Sequence, residues 1–162
     1  VVRVHVAVWY LDEGIFVKTL FAACALSCAL AIFAVPISVP ASADVVSIAK
    51  RYDGMHERRH RGKLKRIIGV DPARTPWCGA WLGTVVRQSG RKPPVGYTSS
   101  WAWKRWGRSV GARRGAIAVF KHGHVGVVES IKNGKVCVWS ANWRNRVGLS
   151  CRKMRTVSAF RG

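Results

Sequence analysis

The stretch GAIAVFKHGHVGVVESIKNGKVCVWS, residues 115–140, decides the fold. After Gly115, the compact apolar run from Ala116 to Phe120 reads as a buried strand. Val125 to Ser130 reads as a second strand and Lys135 to Ser140 as a third. Between those two, Asn133-Gly134 is a strong signal for a tight hairpin turn. A last strand is predicted over Thr156 to Phe160. Upstream, Trp77, Ala80, Trp81, Val85 and Val86 recur close to helical spacing within residues 76–89, and Gly90 ends the run. Arg91 to Gly96 is a proline-glycine loop, after which Thr98 or Ser99 caps a short helix through Trp101, Trp103 and Trp106 that Gly107 stops. Helices first and an antiparallel sheet afterwards make an α+β arrangement.

The 162 residues allow one domain with extensions. Hydrophobic residues are 49% of the chain and there are eight tryptophans, so a sizeable core forms and disorder is not the default. Twenty-eight lysines and arginines stand against seven acids, a formal charge of +21 that attracts polyanions such as nucleic acid, anionic lipid or acidic wall polymer.

Residues 1–43 have a different character. Thr19 to Val39 carries no charge, Lys18 precedes it and Ala41-Ser42-Ala43 follows, the pattern of a cleaved signal peptide. The same run is just long enough to span a bilayer, but Pro36, Pro40 and the small residues at its end favour cleavage. Asp12 and Glu13 are foreign to such a leader, so translation is expected to start at Val17 and the mature chain at Asp44. Residues 44–63 form a basic lead-in, a solvated helix or arm, and 64–162 the folded domain. The expected product is secreted or periplasmic, monomeric and without a stable membrane anchor.

Cleavage removes Cys24 and Cys28 and leaves Cys78, Cys137 and Cys151. In an oxidising compartment an odd count suggests one pair and one free thiol. Cys137 and Cys151 flank a hairpin and are the natural pair, which leaves Cys78 free.

Cys78 follows Thr75-Pro76-Trp77, and a proline there preorganises the first turn of a helix. Free N–H groups and the helix dipole favour a thiolate at that place and can also stabilise an oxyanion forming beside it. The bland reading is a buried structural cysteine. His124, in His122-Gly123-His124-Val125-Gly126, sits at the mouth of a strand and is the candidate base, preferred to His122 because it abuts the apolar run. Asn142 is the candidate for orienting the imidazole, with a plain turn role as its alternative. Trp77 and Gly79 beside the sulfur, and Trp101 and Trp103 downstream, are candidate substrate contacts. Core packing is the competing role for the latter two. The histidines lack a second cluster to complete a metal site, and no cofactor is expected.

The series Pro72-Ala73-Arg74-Thr75-Pro76-Trp77-Cys78, Gly115-Ala116-Ile117-Ala118-Val119-Phe120 and Gly123-His124-Val125-Gly126-Val127 resembles the NlpC-like and CHAP cysteine peptidases. The resemblance covers residues 64–162. It implies a papain-like fold with the cysteine at a helix start, packed on a small antiparallel sheet that carries the histidine. It also implies bacterial peptidoglycan as substrate, cut at a peptide or amide bond, with Asn142 as third residue. Two positions depart from the pattern: Ala116 stands where many relatives have Asp, and Ser140 where some have Glu. The competing expectation is a non-catalytic basic module that binds anionic wall polymer or nucleic acid.

Overall fold

The computed structural model describes residues 44–162. The segment expected to be a signal peptide lies outside the described residues. From Asp44 onward the elements run α1 (Val45–Lys50), α2 (Arg61–Ile68), α3 (Cys78–Gln88), a 3-10 helix (Ser100–Arg105), β1 (Ile117–Phe120), β2 (His124–Lys132), β3 (Lys135–Trp143), β4 (Arg146–Lys153), a 3-10 turn (Met154–Thr156) and β5 (Val157–Arg161). The expected α+β class is the one observed, with all five strands in one antiparallel sheet of order β4-β3-β2-β1-β5.

The sheet order forces curvature. β4 and β5 are the two edges of the sheet, and a flat five-stranded sheet is about 19 Å wide. The chain from Lys153 to Val157 can span at most about 14 Å. The sheet therefore curls into a half-barrel until its edges come within reach of each other.

Alternation along the strands divides the apolar residues between two surfaces. Ile117, Val119, Val125, Val127, Trp139 and Ala141 point outward and pack with α1 and α3. Ala118, Phe120, Val128, Val136 and Val138 point inward and pack with Val110, Met154, Val157 and Phe160. Asn133 and Gly134 both take positive φ (51° and 66°), as the two-residue turn between β2 and β3 demands. Arg144 and Asn145 (53° and 61°) do the same between β3 and β4.

The stretch expected as a basic lead-in belongs to this fold. Asp44 caps α1, accepting from the Val46 N–H at 3.2 Å, and Arg114 pairs with the same carboxylate at 2.9 Å. Val46, Ile48 and Ala49 are completely buried against α3 and the sheet. The lysines and arginines of 44–63 mask these apolar positions in the sequence, which is why the segment reads as solvated.

α3 is buried along nearly its whole length. Gly79 and Gly83, one turn apart, give it a bare stripe against which the loop at Tyr97-Thr98 closes. A Cβ at position 79 would lie 2.5 Å from the Thr98 carbonyl oxygen, and one at 83 would overlap the Tyr97 ring. Gly79→Ala is therefore expected to cost about 1–3 kcal/mol of stability, the usual range for overpacking. Urea unfolding at neutral pH measures this, and an unchanged midpoint would contradict the close approach.

Candidate active site

α3 begins at Cys78 itself, with Trp77 at the N-cap position and Pro76 just before it. The sulfur thus sits in the first turn, where backbone N–H groups have no helical acceptor. It lies against the N–H groups of Val125, Gly79 and Cys78. Val125 immediately follows His124 in β2, so folding brings the sulfur beside the peptide of the histidine 46 positions away. Burial pushes the Cys78 thiol above its ordinary value, while those three N–H groups pull it back down. Cys78 is the free cysteine among the described residues.

A cleft of about 380 Å³ opens over Cys78, lined by Thr75, Pro76, Thr98, Ser99, Ser100 and Gly123. Ser99 caps the 3-10 helix through the Trp101 N–H, and the Ser100 hydroxyl donates to the Gly123 carbonyl at 2.7 Å. That bond ties the cleft's far wall to the β1–β2 turn, where Gly123 takes a φ of 77°. Ser100 was not singled out from the sequence, which carries no local signal for it, and Thr98 was singled out only as a helix cap, the place that Ser99 takes.

His124 opens β2 opposite Phe120 and shares its face: the two rings are 6.0 Å apart. The rings of His122 and Trp143 lie 6.2 and 6.4 Å away. Burial, then the charge of Arg152, then that of His122 hold the imidazole down at about 4. Its Nε2 is buried without a hydrogen-bond partner, and no hydrogen bond joins it to Cys78 or Asn142. Extending the β2–β3 register places Asn142 across from His124. Asn142 occupies an irregularity in the β3–β4 ladder with a φ of 60°. At neutral pH the thiol and the imidazole are thus both uncharged. The ring lies on the inward face of the sheet with Phe120, whereas Cys78 packs on the outward face beside Val125, so the fold brings the sulfur to the backbone next to His124 but not to its ring.

The tryptophans separate by burial. Trp77 and Trp103 are fully enclosed, Trp103 donating from its indole N–H to the Tyr97 carbonyl at 2.9 Å, so they pack the core and offer no surface to a ligand. Gly79 likewise serves the close packing of α3 on the Thr98 loop. Trp101 is 54% exposed and stands beside Gly123 at the rim of the cleft.

Cys137 and Cys151 face each other across the β3–β4 ladder and are disulfide-bonded. The bond closes a loop of 14 residues and fastens the edge strand β4. Replacing both by serine is expected to cost about 2–3 kcal/mol, read from urea midpoints. Equal midpoints would mean that the β3–β4 ladder holds without the crosslink.

Glu129 lies in the β2 bulge, where it accepts from the Trp139 indole at 2.6 Å and the Lys50 ammonium at 3.1 Å. It is part of the scaffold. Among the described residues there is no group of three or more potential metal ligands, and no helix is long and apolar enough to cross a membrane.

Compared with known proteins, the sequence matches no protein-family model and no curated protein.

Proposed function

We propose that this chain is an exported cysteine hydrolase of papain-like type, with Cys78 as nucleophile and His124 as base, that cleaves peptide or amide bonds in peptidoglycan. One observation carries the reading. A free sulfur in the first turn of α3 touches the amide next to His124 and opens on a cleft.

The chemistry follows from the two uncharged groups. The imidazole takes the thiol proton as the sulfur attacks the carbonyl carbon, so the thiolate exists only as it is consumed. The N–H groups of Gly79 and Val125, which face the sulfur, are the donors offered to the negative charge that gathers on the attacked carbonyl oxygen. The imidazolium then protonates the leaving amine, and the neutral ring activates water to hydrolyse the acyl-sulfur bond. Nucleophile and base are both supplied by the chain, and no cofactor enters the scheme. The scheme requires the β1–β2 turn to re-aim the His124 ring from the inward face, where it lies with Phe120, toward the sulfur. Asn142, level with His124, is the residue to orient it there.

The +21 charge suits a substrate embedded in anionic wall polymer, and with it a secreted or periplasmic monomer. The same charge, with the unbonded state of the His124 ring, favours a second reading: a non-catalytic module that grips anionic polymer or nucleic acid. Digestion of purified peptidoglycan by residues 44–162, with mass analysis of the fragments, separates the two. Release of muropeptides cut at a peptide or amide bond is expected. Salt-sensitive binding without any released fragment would leave the module reading in place.

A further inference from the structure

The inner surface of the half-barrel carries a second polar group. Arg152 enters it from β4, its guanidinium centre 3.6 Å from the Trp143 ring and 5.6 Å from the Phe120 ring. The Trp143 ring, the nearer of the two, attracts the guanidinium by its negative face. Yet its Nε and Nη2 are buried without a hydrogen bond, and among the described residues no carboxylate pairs with it. Asp44, Asp71 and Glu129 are engaged elsewhere, with Arg114, Arg61 and Lys50.

Further donors share this surface. The His122 and His124 rings stack nearly parallel, 10° apart in plane, and both feel the charge of Arg152. His124 is 8% exposed and Ser140 completely buried, and the Nε2 of the one and the hydroxyl of the other have no partner. The Ser150 hydroxyl is also buried and unpaired. The β3–β4 register puts Ser140, Ser150 and Arg152 on the same inward side as Val136 and Val138. Buried polar groups are normally satisfied. Here several donors and one positive charge line the same inward surface, and among the described residues no acceptor pairs with them.

We propose that Arg152, His122, His124, Ser140 and Ser150 form a binding site for a small oxyanion, a carboxylate or a phosphate. The planar fork of Arg152 matches two oxygens of either group. The hydroxyls and imidazole N–H groups supply the remaining donors. A carboxylate would come from a peptide end, a phosphate from a wall polymer. The site shares His124 with the proposed catalytic pair but does not need catalysis in order to bind.

The test uses residues 44–162 carrying Cys78→Ser, labelled at histidine, followed by NMR at pH 7 and constant ionic strength. N-acetyl-D-alanine and glycerol phosphate are titrated separately, with sodium chloride as the control. A saturable shift of the His122 and His124 ring resonances is expected with at least one probe, at millimolar affinity, and the tighter probe names the source. Arg152→Gln should weaken that binding at least tenfold, and Arg152→Lys, which keeps the charge but loses the fork, by less. Shifts that match those of chloride, or that persist unchanged in Arg152→Gln, would overturn the proposal. Absence of this binding in the protein that retains Arg152, with wall digestion by the unmutated protein intact, refutes the oxyanion site alone. Binding without digestion by the unmutated protein refutes the hydrolase reading alone.

Discussion

Cys78→Ser is expected to lower peptidoglycan hydrolysis at least about a thousandfold while leaving the fold and the affinity for cell wall as they are. The serine hydroxyl fits where the thiol sits, so the first turn of α3 and the contact with Val125 persist. What is lost is a nucleophile whose proton a neutral imidazole can remove. A hydroxyl gives up its proton far less readily, and the donors around the carbonyl oxygen cannot compensate for a poor attacking atom. Circular dichroism and a urea melt check the fold, sedimentation with purified wall checks binding, and fragment release over time gives the rate. Iodoacetamide supplies an independent measure. Because burial holds the thiol above its ordinary value, labelling of the free protein should climb with pH beyond neutrality without levelling off between pH 6 and 8. A serine variant that digests wall at the parent rate would remove sulfur from the reaction altogether.

The sheet was legible in the sequence wherever an element is buried. β1 and β2 announce themselves because their residues from Ile117 to Phe120 and from His124 to Val128 are all enclosed, so nearly every position is apolar or small. The β2–β3 turn was legible because Asn133-Gly134 is the residue pair that tolerates two positive φ angles. β4 was not legible, and the reason is physical. It is an edge strand with only Val147 buried, and it reads as a mixture of Arg, Gly, Ser and Lys. Its turn, Arg144-Asn145, adopts the same backbone as Asn-Gly without a glycine to advertise it. α1 escaped notice for the opposite reason, its four buried apolar residues forming a short run just before Lys50-Arg51 and the basic stretch that follows. At the site, Cys78 could be placed at a helix start from Pro76 and the periodicity after it. The curl of the sheet could not be read, because it depends on which strands are edges. That curl is what carries Arg152 from β4 to the rings of Phe120 and Trp143.

The protein is expected to lose stability between pH 7 and pH 4 partly through His124, by roughly 3 kcal/mol when that residue is taken alone. The ordinary value for the side chain is 6.5, and in the fold it is about 4. Between these values the unfolded chain binds a proton that the folded chain refuses, so acidification favours unfolding. The contribution is nil above pH 7 and reaches its full size once pH falls to about 4. Burial is the first cause and the charge of Arg152 the second. Asp44, Asp71 and Glu129 are also held below their ordinary values by their partners, so they add to acid sensitivity at lower pH. They are unchanged in a His124→Gln variant, and a comparison of the two proteins isolates the imidazole. In buffers free of phosphate and carboxylate, the parent should drop in melting temperature from pH 7 to pH 4 by about 10 °C more than the variant. The kinetic counterpart carries the same sign. The base must be unprotonated to work, so kcat/KM for wall digestion should hold down to about pH 5 and fall only near 4. Parallel melting curves for parent and variant, with an acid limb of activity at 6.5, would mean that the imidazole stands in water rather than inside the half-barrel.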